Sequence, residues 1–231
     1  MKPAALLCIV LLGGCAVPKP VAPAPALAVQ PFRGITVRPH AGEVQIEAVA
    51  CLDEGWLEQI ACSPGTREHE SLVVVEARPS DVHAALLLAG FQAGTPGRWS
   101  DENETVSLVP PQGDALRIFV RYRPRGASTE IEEPIGAWIA DESGAPTFPD
   151  APWVFGGSAI VPNPPWMEPG EHYVADMTGS IIGLVTFGDE VIGFKEVLPD
   201  QEAVEPPHWQ VRSDHVPPVG TKVTLIIRGT N

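Results

Sequence analysis

The sequence concentrates reactive side chains in one short segment, residues 62–71, which ends at the start of an apolar run. The segment carries a thiol, two carboxylates that flank an imidazole, and a hydroxyl, from Cys62, Glu68, His69, Glu70 and Ser71. Groups of these kinds bind metal ions, transfer protons or act as nucleophiles. We therefore take Glu68, His69, Glu70 and Ser71 as candidate binding residues.

A second histidine, His83, follows in a predicted helix that can fold back over the next strand. Cys62, His69 and His83 would then be suitable zinc ligands, with a carboxylate such as that of Glu70 completing the set. Their spacing matches no strong zinc motif. The alternative is structural: His69 and Glu70 pair with Arg67 or with backbone donors, and His83 bonds a carbonyl group beneath its helix.

The orientation of these groups depends on whether the segment is extended. If residues 69–75 form one strand, alternation places His69 and Ser71 on one face and Glu70 on the other. We then expect that His69 and Glu70 do not easily share a ligand. Ser71 lies in no Gly-x-Ser-x-Gly sequence, which disfavours hydrolysis by a serine nucleophile.

The surrounding pattern predicts an α+β fold that is mainly β. From residue 34 onward, short runs rich in Val, Ile and Leu are bounded by Gly, Pro, Asp and Asn, as in antiparallel, sandwich-like sheets. Among the strands that such runs predict are residues 42–52, 116–122, 135–140, 172–175 and 222–228. Turns at residues 53–55 and 188–190 predict two hairpins. One short, buried α-helix is expected at residues 80–89, because Ser80 is a suitable N-cap and Gly90 suits a left-handed C-terminal position.

The two cysteines that follow the N-terminal region, Cys51 and Cys62, leave three possibilities open. In the hairpin predicted around residue 54 they lie out of register by five residues, roughly 17 Å along a strand, too far for a disulfide. A bulge or bend would allow the bond, as the oxidising compartment favours. Otherwise they are two buried thiols, or one of them is functional.

The N-terminus has the features of an export signal that ends in a lipid anchor. Residues 4–12 form an apolar run, too short to span a bilayer, and residues 12–15 read Leu-Gly-Gly-Cys, which resembles the bacterial lipobox. We expect residues 1–14 to be cleaved and Cys15 to be acylated. Ala16 in place of Asp predicts sorting to the outer membrane, with the protein facing the periplasm.

A Pro/Ala-rich segment, residues 15–33, follows Cys15 and predicts a semi-rigid tether to a single globular domain, residues 34–231. The chain has 15 Lys and Arg against 29 Asp and Glu, a formal charge of -14. Nucleic acid is thereby disfavoured as a partner, because binding phosphates needs a basic face. Anionic headgroups would repel the domain, so the lipid is expected to be its membrane contact.

Several motifs in order along the chain resemble those of YdjY-domain proteins, which occur among planctomycete exported proteins and lipoproteins. The motifs occupy residues 51–62, 65–71, 82–90, 153–158, 173–176 and 217–223. Glu-His-Glu-Ser at residues 68–71 and Val-His-Ala-Ala-Leu-Leu at 82–87 are the most specific. Arg67 stands where the family often has Lys, which keeps the charge. The resemblance implies an architecture and an exported location, and it focuses attention on residues 68–71 and His83.

These observations lead to an expectation for function. We expect an envelope lipoprotein, a binding or structural module without a cofactor, that holds an envelope protein or cell-wall ligand near residues 68–71 and His83. The alternative is a metal-dependent, zinc-containing or hydrolytic enzyme that uses Cys62, His69, Glu70 and His83.

Overall fold

The computed structural model of the protein describes residues 27–102, 105–150 and 153–230. The strands are β1 (Val29–Phe32), β2 (Ile35–Arg38), β3 (Glu43–Ala50), β4 (Gln59–Cys62), β5 (Ser71–Val74), β6 (Ala93–Thr95), β7 (Arg98–Ser100), β8 (Ser107–Val109), β9 (Gln112–Gly113), β10 (Ala115–Tyr122), β11 (Ile131–Pro134), β12 (Ile139–Asp141), β13 (Trp153–Val154), β14 (Ile160–Pro162), β15 (Glu171–Tyr173), β16 (Ser180–Gly183), β17 (Ile192–Phe194), β18 (Trp209–Val211) and β19 (Lys222–Gly229). The α-helices are α1 (Pro79–Leu88) and α2 (Val174–Thr178), and short 3-10 turns occupy Pro39–Ala41, Glu68–Glu70 and Ile135–Trp138.

Eight strands close into a barrel in the order β3, β19, β10, β13, β17, β16, β4 and β5, with β5 returning to β3. In this barrel β4 runs parallel to β5 and β16 runs parallel to β17, and the other neighbouring strands are antiparallel. β1 and β2 extend from β3, and β11 pairs with β10. In the described part of the chain, four small two-stranded antiparallel sheets lie outside this path.

The predicted predominance of β structure is confirmed, but the sandwich-like arrangement of antiparallel sheets is not. An alternating strand looks the same in sequence whether its apolar side faces a second sheet or the inside of a barrel. Closure depends on β5 pairing with β3 through Val49–Val74 and Ala50–Val73. Such long-range pairing leaves no signal in the local pattern.

Both predicted hairpins are wrong. In the first, another strand lies between the two expected partners, and in the second the two strands run parallel. β5 lies between β3 and β4. The turn residue Gly55 accepts the Val211 N–H, and Leu57, two residues further on, donates its N–H to the Trp209 carbonyl. β16 and β17 are parallel neighbours, joined by a longer connection that contains residues 188–190. The disulfide argument from hairpin register therefore does not apply to this fold.

The predicted helix is confirmed as α1, displaced by one residue at each end. Gly90 has the expected left-handed backbone, with φ +97°, whereas the N-terminus begins with Pro79 after Arg78 rather than with a Ser80 cap. Leu86 is fully buried in the hydrophobic core, but Leu87 and Leu88 are about half exposed, so the helix is buried on one side only. Residues 172–175, expected to form a strand, are divided between β15 and a second helix, α2, which begins at Val174.

The first strand lies inside the predicted tether, residues 15–33. β1 pairs with β2 through Val29–Val37 and Phe32–Ile35, and its Pro31 is tolerated because an edge strand needs fewer amide donors. The predicted signal peptide, residues 1–14, and the predicted lipidation residue Cys15 lie outside the described residues. None of the helices in the described part of the chain has the length and apolar character needed to cross a bilayer.

Candidate functional site

The Glu-His-Glu sequence forms a 3-10 turn instead of continuing β5. Glu70 donates its N–H to the Arg67 carbonyl at 3.2 Å, and the Ser71 hydroxyl donates to the same oxygen at 2.7 Å. β5 therefore begins at Ser71, and the condition that residues 69–75 form one strand is not met. His69 Nε2 lies 3.4 Å from a Glu70 carboxylate oxygen, so the expected separation of these two side chains is wrong.

This turn places Glu70 beside Glu58, which precedes β4. The Glu58 N–H donates to the Glu70 carbonyl at 3.0 Å, and the two carboxyl groups lie close enough to interact. Burial, and then the neighbouring Glu70, raises the pKa of Glu58 to about 7. Burial and the neighbouring carboxylate disfavour the charged form of Glu58, so its carboxyl group can hold a proton near neutral pH.

Arg67 and His69 complete the surface around the carboxyl pair. The Arg67 guanidinium lies 3.7 Å from the centre of the Phe187 ring and 3.3 Å from Glu70. The His69 side chain is 77% exposed. We call Glu58, Arg67, His69 and Glu70 the Glu70 site. It offers hydrogen-bond acceptors, a fixed cation and a solvent-facing imidazole within one small surface.

Two other residues of the reactive segment have structural positions. Glu68 accepts the Gly65 N–H, and this hydrogen bond lowers its pKa. The Ser71 side chain is fully buried. The Gly65–Glu68 hydrogen bond and the bond from the Ser71 hydroxyl to the Arg67 carbonyl both stay within residues 62–71. Glu68 and Ser71 therefore shape the turn that presents Glu70.

The cysteines lie on either side of β5 and are free thiols in the structure. Cys51 Sγ donates to the Ser71 carbonyl at 3.1 Å, and Cys62, fully buried, pairs with Val74 along β4. Burial raises the pKa of both thiols, that of Cys51 to about 12. A thiol with so high a pKa is a poor nucleophile at neutral pH, because little of it is thiolate.

His83 belongs to a separate cluster at the side of α1. Its Nδ1 lies 3.1 Å from the Gly157 carbonyl and 2.9 Å from the Tyr173 hydroxyl, and that hydroxyl also donates to the Gly157 carbonyl. Since a carbonyl only accepts, this geometry favours a proton on Nδ1. Burial lowers the pKa of His83, which keeps the imidazole neutral near pH 7.

Ser158 next to this cluster is the one non-glycine residue with positive φ, at 54°, in the part of the chain that the structure describes. Its hydroxyl accepts the Ala175 N–H at 3.2 Å. Motif residues 82–90, 153–158 and 173–176, which are distant in sequence, therefore meet here. The alternative predicted for His83, a bond to a backbone carbonyl, describes the observed contact.

Cys62, His69 and His83 are not gathered into one ligand set. His69 faces solvent beside Glu70, Cys62 is enclosed between strands, and His83 contacts Tyr173 on the side of α1. Within residues 27–102, 105–150 and 153–230, no group of three or more His, Cys, Asp or Glu side chains is arranged to hold a metal ion.

Sequence reasoning missed Glu58 and Phe187. Glu58 falls within the motif at residues 51–62, so the resemblance could have drawn attention to it. Nothing in the sequence pairs it with Glu70, because the two meet only when β4 and β5 align in parallel. Phe187 lies in the connection after β16, far from Arg67 in sequence.

Comparison with known proteins identifies the family. The family model of the YdjY domain matches residues 35–228, which is most of the chain. No curated protein and no solved structure matches. The chain therefore belongs to the YdjY-domain family, and the resemblance found in its motifs is confirmed.

Proposed function

We propose that this member of the YdjY-domain family is a lipoprotein of the cell envelope that binds a cell-wall ligand at the Glu70 site. Acyl chains on Cys15 attach it to the outer membrane, and the tether holds the barrel in the periplasm. The observation that carries the binding role is the Glu58–Glu70 carboxyl pair, set beside Arg67 at the surface.

The chemistry of the Glu70 site indicates a ligand rich in hydroxyl groups. The two carboxyl groups offer acceptors for O–H donors, and the Arg67 guanidinium donates in a fixed direction because it is stacked on Phe187. The exposed imidazole of His69 adds a group that can donate or accept. A cell-wall polysaccharide presents many hydroxyls in close succession and suits such a surface.

A hydrolytic enzyme is the second candidate, and one observation favours it. A carboxyl group with a pKa of about 7, as in Glu58, can give or take a proton at neutral pH. Next to Glu70 it could assist attack by water on a glycosidic or peptide bond. This reading uses Glu58 and Glu70 and needs neither Cys62 nor a metal ion.

The anchoring part of the proposal is tested by replacing the acceptor of the lipid. We expect the native chain in the membrane fraction, with a mass increased by acyl groups. Cys15→Ser should remove that mass and leave the chain as an unprocessed or soluble form. A native chain recovered without lipid from the soluble fraction would contradict the proposal.

The binding part is tested by co-sedimentation of the full chain with purified peptidoglycan. Glu70→Gln and Glu58→Gln should each reduce the bound fraction about tenfold, as expected for loss of one hydrogen bond to the ligand. Glu142→Gln, at an exposed residue outside the site, is the matched control. No sedimentation of the native chain, or equal sedimentation of all variants, would refute binding at the Glu70 site.

The same incubation separates the two candidates. Soluble fragments released by the native chain but not by Glu58→Gln would establish the enzyme. Retention on the polymer without released fragments supports the binding module.

A further inference from the structure

A cleft of about 470 Å³ opens on the outside of the barrel, where β3 changes its neighbour. β2 pairs with β3 as far as Ile46, and β5 pairs with it from Val49 onward. The turn between β1 and β2 lines one side of the cleft, and the segment from β5 to α1 lines another. Its volume falls in the ~300–1,000 Å³ range of pockets for small ligands.

The strand register places two rows of side chains across the floor of this cleft. Glu47, Thr224 and Arg121 occupy one row, since Thr224 is the partner of both other residues. Val49, with its partners Val74 and Lys222, occupies the next row. From strand spacing and rise, the backbone positions of Glu47 and Lys222 are roughly 8 Å apart.

The charges that line the cleft are of both signs, and several have no ion pair. Four of the chain's 15 basic residues line it, together with four carboxylates. Five of these side chains form no ion pair with another described residue: Arg33, Glu47, Glu76, Glu130 and Lys222. On a chain with a charge of -14, this is a local region of balanced charge.

An amphoteric ligand matches this arrangement better than an ion of one sign. An anion would be attracted by Lys222 but repelled by Glu47 and Glu76. A cation would be attracted by the two glutamates but repelled by Lys222. A molecule with both charges satisfies each group, provided that its charges are separated by about the same distance. The apolar side chains of Val49 and Val74 offer contact to a short aliphatic part between the charges.

We propose that this cleft binds a short peptide with free termini, its carboxylate at Lys222 and its ammonium group at Glu47. Two or three extended residues, at ~3.3 Å each, match the distance between the backbone positions of Glu47 and Lys222. Thr224 offers a hydroxyl to the peptide backbone. This site shares no residue with the Glu70 site and does not depend on the function proposed for it.

Tri-L-alanine is the probe, titrated into the full chain in mild detergent and followed by calorimetry. We expect saturable binding with one peptide per chain. Acetylation of the amino terminus or amidation of the carboxyl terminus should weaken binding at least about tenfold, as should Lys222→Glu and Glu47→Lys.

Matched controls reverse the same charges elsewhere. Lys195→Glu and Glu196→Lys lie at exposed residues that do not line the cleft, and binding should be unchanged in both. The capped peptides test the proposal without any change to the protein. Absence of binding, equal binding of the capped peptides, or full binding by Lys222→Glu would each overturn it.

Discussion

The carboxyl groups of Glu58 and Glu70 meet at the surface of the barrel, although one residue precedes β4 and the other ends the turn before β5. Parallel pairing of β4 and β5 brings the two chain segments together, with Gln59 opposite Ser71. The residues directly before these partners are Glu58 and Glu70, so the register itself creates the pair. A shift of this register would separate the two carboxyl groups.

We predict that Glu58→Gln stabilises the protein above pH 7. The pKa of Glu58 is raised from 4.5 to about 7 in the folded protein, so the native state loses stability as pH rises from about 4.5 through 7. Removing the ionisation should increase the free energy of unfolding by about 1 kcal/mol at pH 8, since this partly exposed group is screened by solvent. Little change is expected at pH 4.

Urea denaturation at pH 4 and pH 8 measures this difference. In the companion variant Glu70→Gln, carboxyl NMR should show the pKa of Glu58 falling toward 4.5 but staying above it, because burial, the largest cause of the shift, remains. An unchanged Glu58 titration in that variant would mean that the two groups do not interact.

Glu190→Gln should also stabilise the protein at high pH, and by more. Glu190 is 1% exposed, and burial raises the pKa of its carboxyl group to about 7 even though the Gly188 and Asp189 N–H groups donate to it. Gln keeps an acceptor oxygen of the same shape. We expect the free energy of unfolding to increase by about 2 kcal/mol at pH 8 and to change almost not at all at pH 4.

Thermal unfolding across pH 4–8 checks the Glu190 prediction, with the exposed Glu196→Gln as the control. The direction of the stability change at pH 8 is decisive, because most substitutions of a buried residue destabilise the protein. A loss of stability in Glu190→Gln at pH 8 would show that its charged form is tolerated in the native state.

Glu43→Gln should act in the opposite direction. Although burial tends to raise the pKa of Glu43, hydrogen bonds from Arg228, Gln45 and Arg38 outweigh it and hold the pKa below 4.5. Glu43 therefore stabilises the native state above pH 4.5, and this contribution disappears as pH falls through the folded pKa. We expect a loss of about 2 kcal/mol at pH 7.

The stability lost in Glu43→Gln should be smaller at pH 3 than at pH 7. Denaturant titration at the two pH values measures this difference. Glu142→Gln, an exposed carboxylate, should change stability by less than about 0.5 kcal/mol at either pH. A Glu43→Gln effect of constant size at both pH values would contradict an ionic origin.

Gly157→Ala is predicted to loosen the cluster around His83. Gly157 has φ +90°, and an added Cβ would lie 2.9 Å from the Ala93 Cβ and 3.1 Å from His83 Cε1. Strained backbone and steric contact together should cost about 3 kcal/mol. Gly144→Ala has a similar φ of +83° with open space around it, so about 1 kcal/mol is expected there.

Chemical denaturation of both glycine variants isolates the steric part as their difference. Equal losses would show that His83 and Ala93 move aside without cost. A larger loss in Gly157→Ala supports close packing of α1 against residues 153–158.

Local pattern predicted individual elements where the signal was strong. The alternating strands β3, β10 and β19 and the helix ending before Gly90 were expected near their observed bounds. The segment at residues 135–140 was expected to be a strand, but its first part is a 3-10 turn that buries Trp138. Apolar runs of this length favour either structure, and tertiary packing decides between them.

The candidate site shows the same division. Residue types directed attention to His69 and Glu70, and both lie in the Glu70 site. They could not identify Glu58 as the partner of Glu70, or show that His83 turns to Tyr173 instead. These contacts join segments separated along the chain, so no spacing rule contains them.

By itself, the sequence determined the family, the predominance of β structure and the short helix α1, because motifs, alternation and capping act over a few neighbouring residues. Tertiary structure alone decided that the sheet closes through β5 and β3, that Glu58 meets Glu70, and that a cleft with both charges opens beside β3. Each of these depends on which distant strands become neighbours and in which register. That choice is made by packing of the whole core, where a one-residue shift would turn every side chain of a strand to its other face.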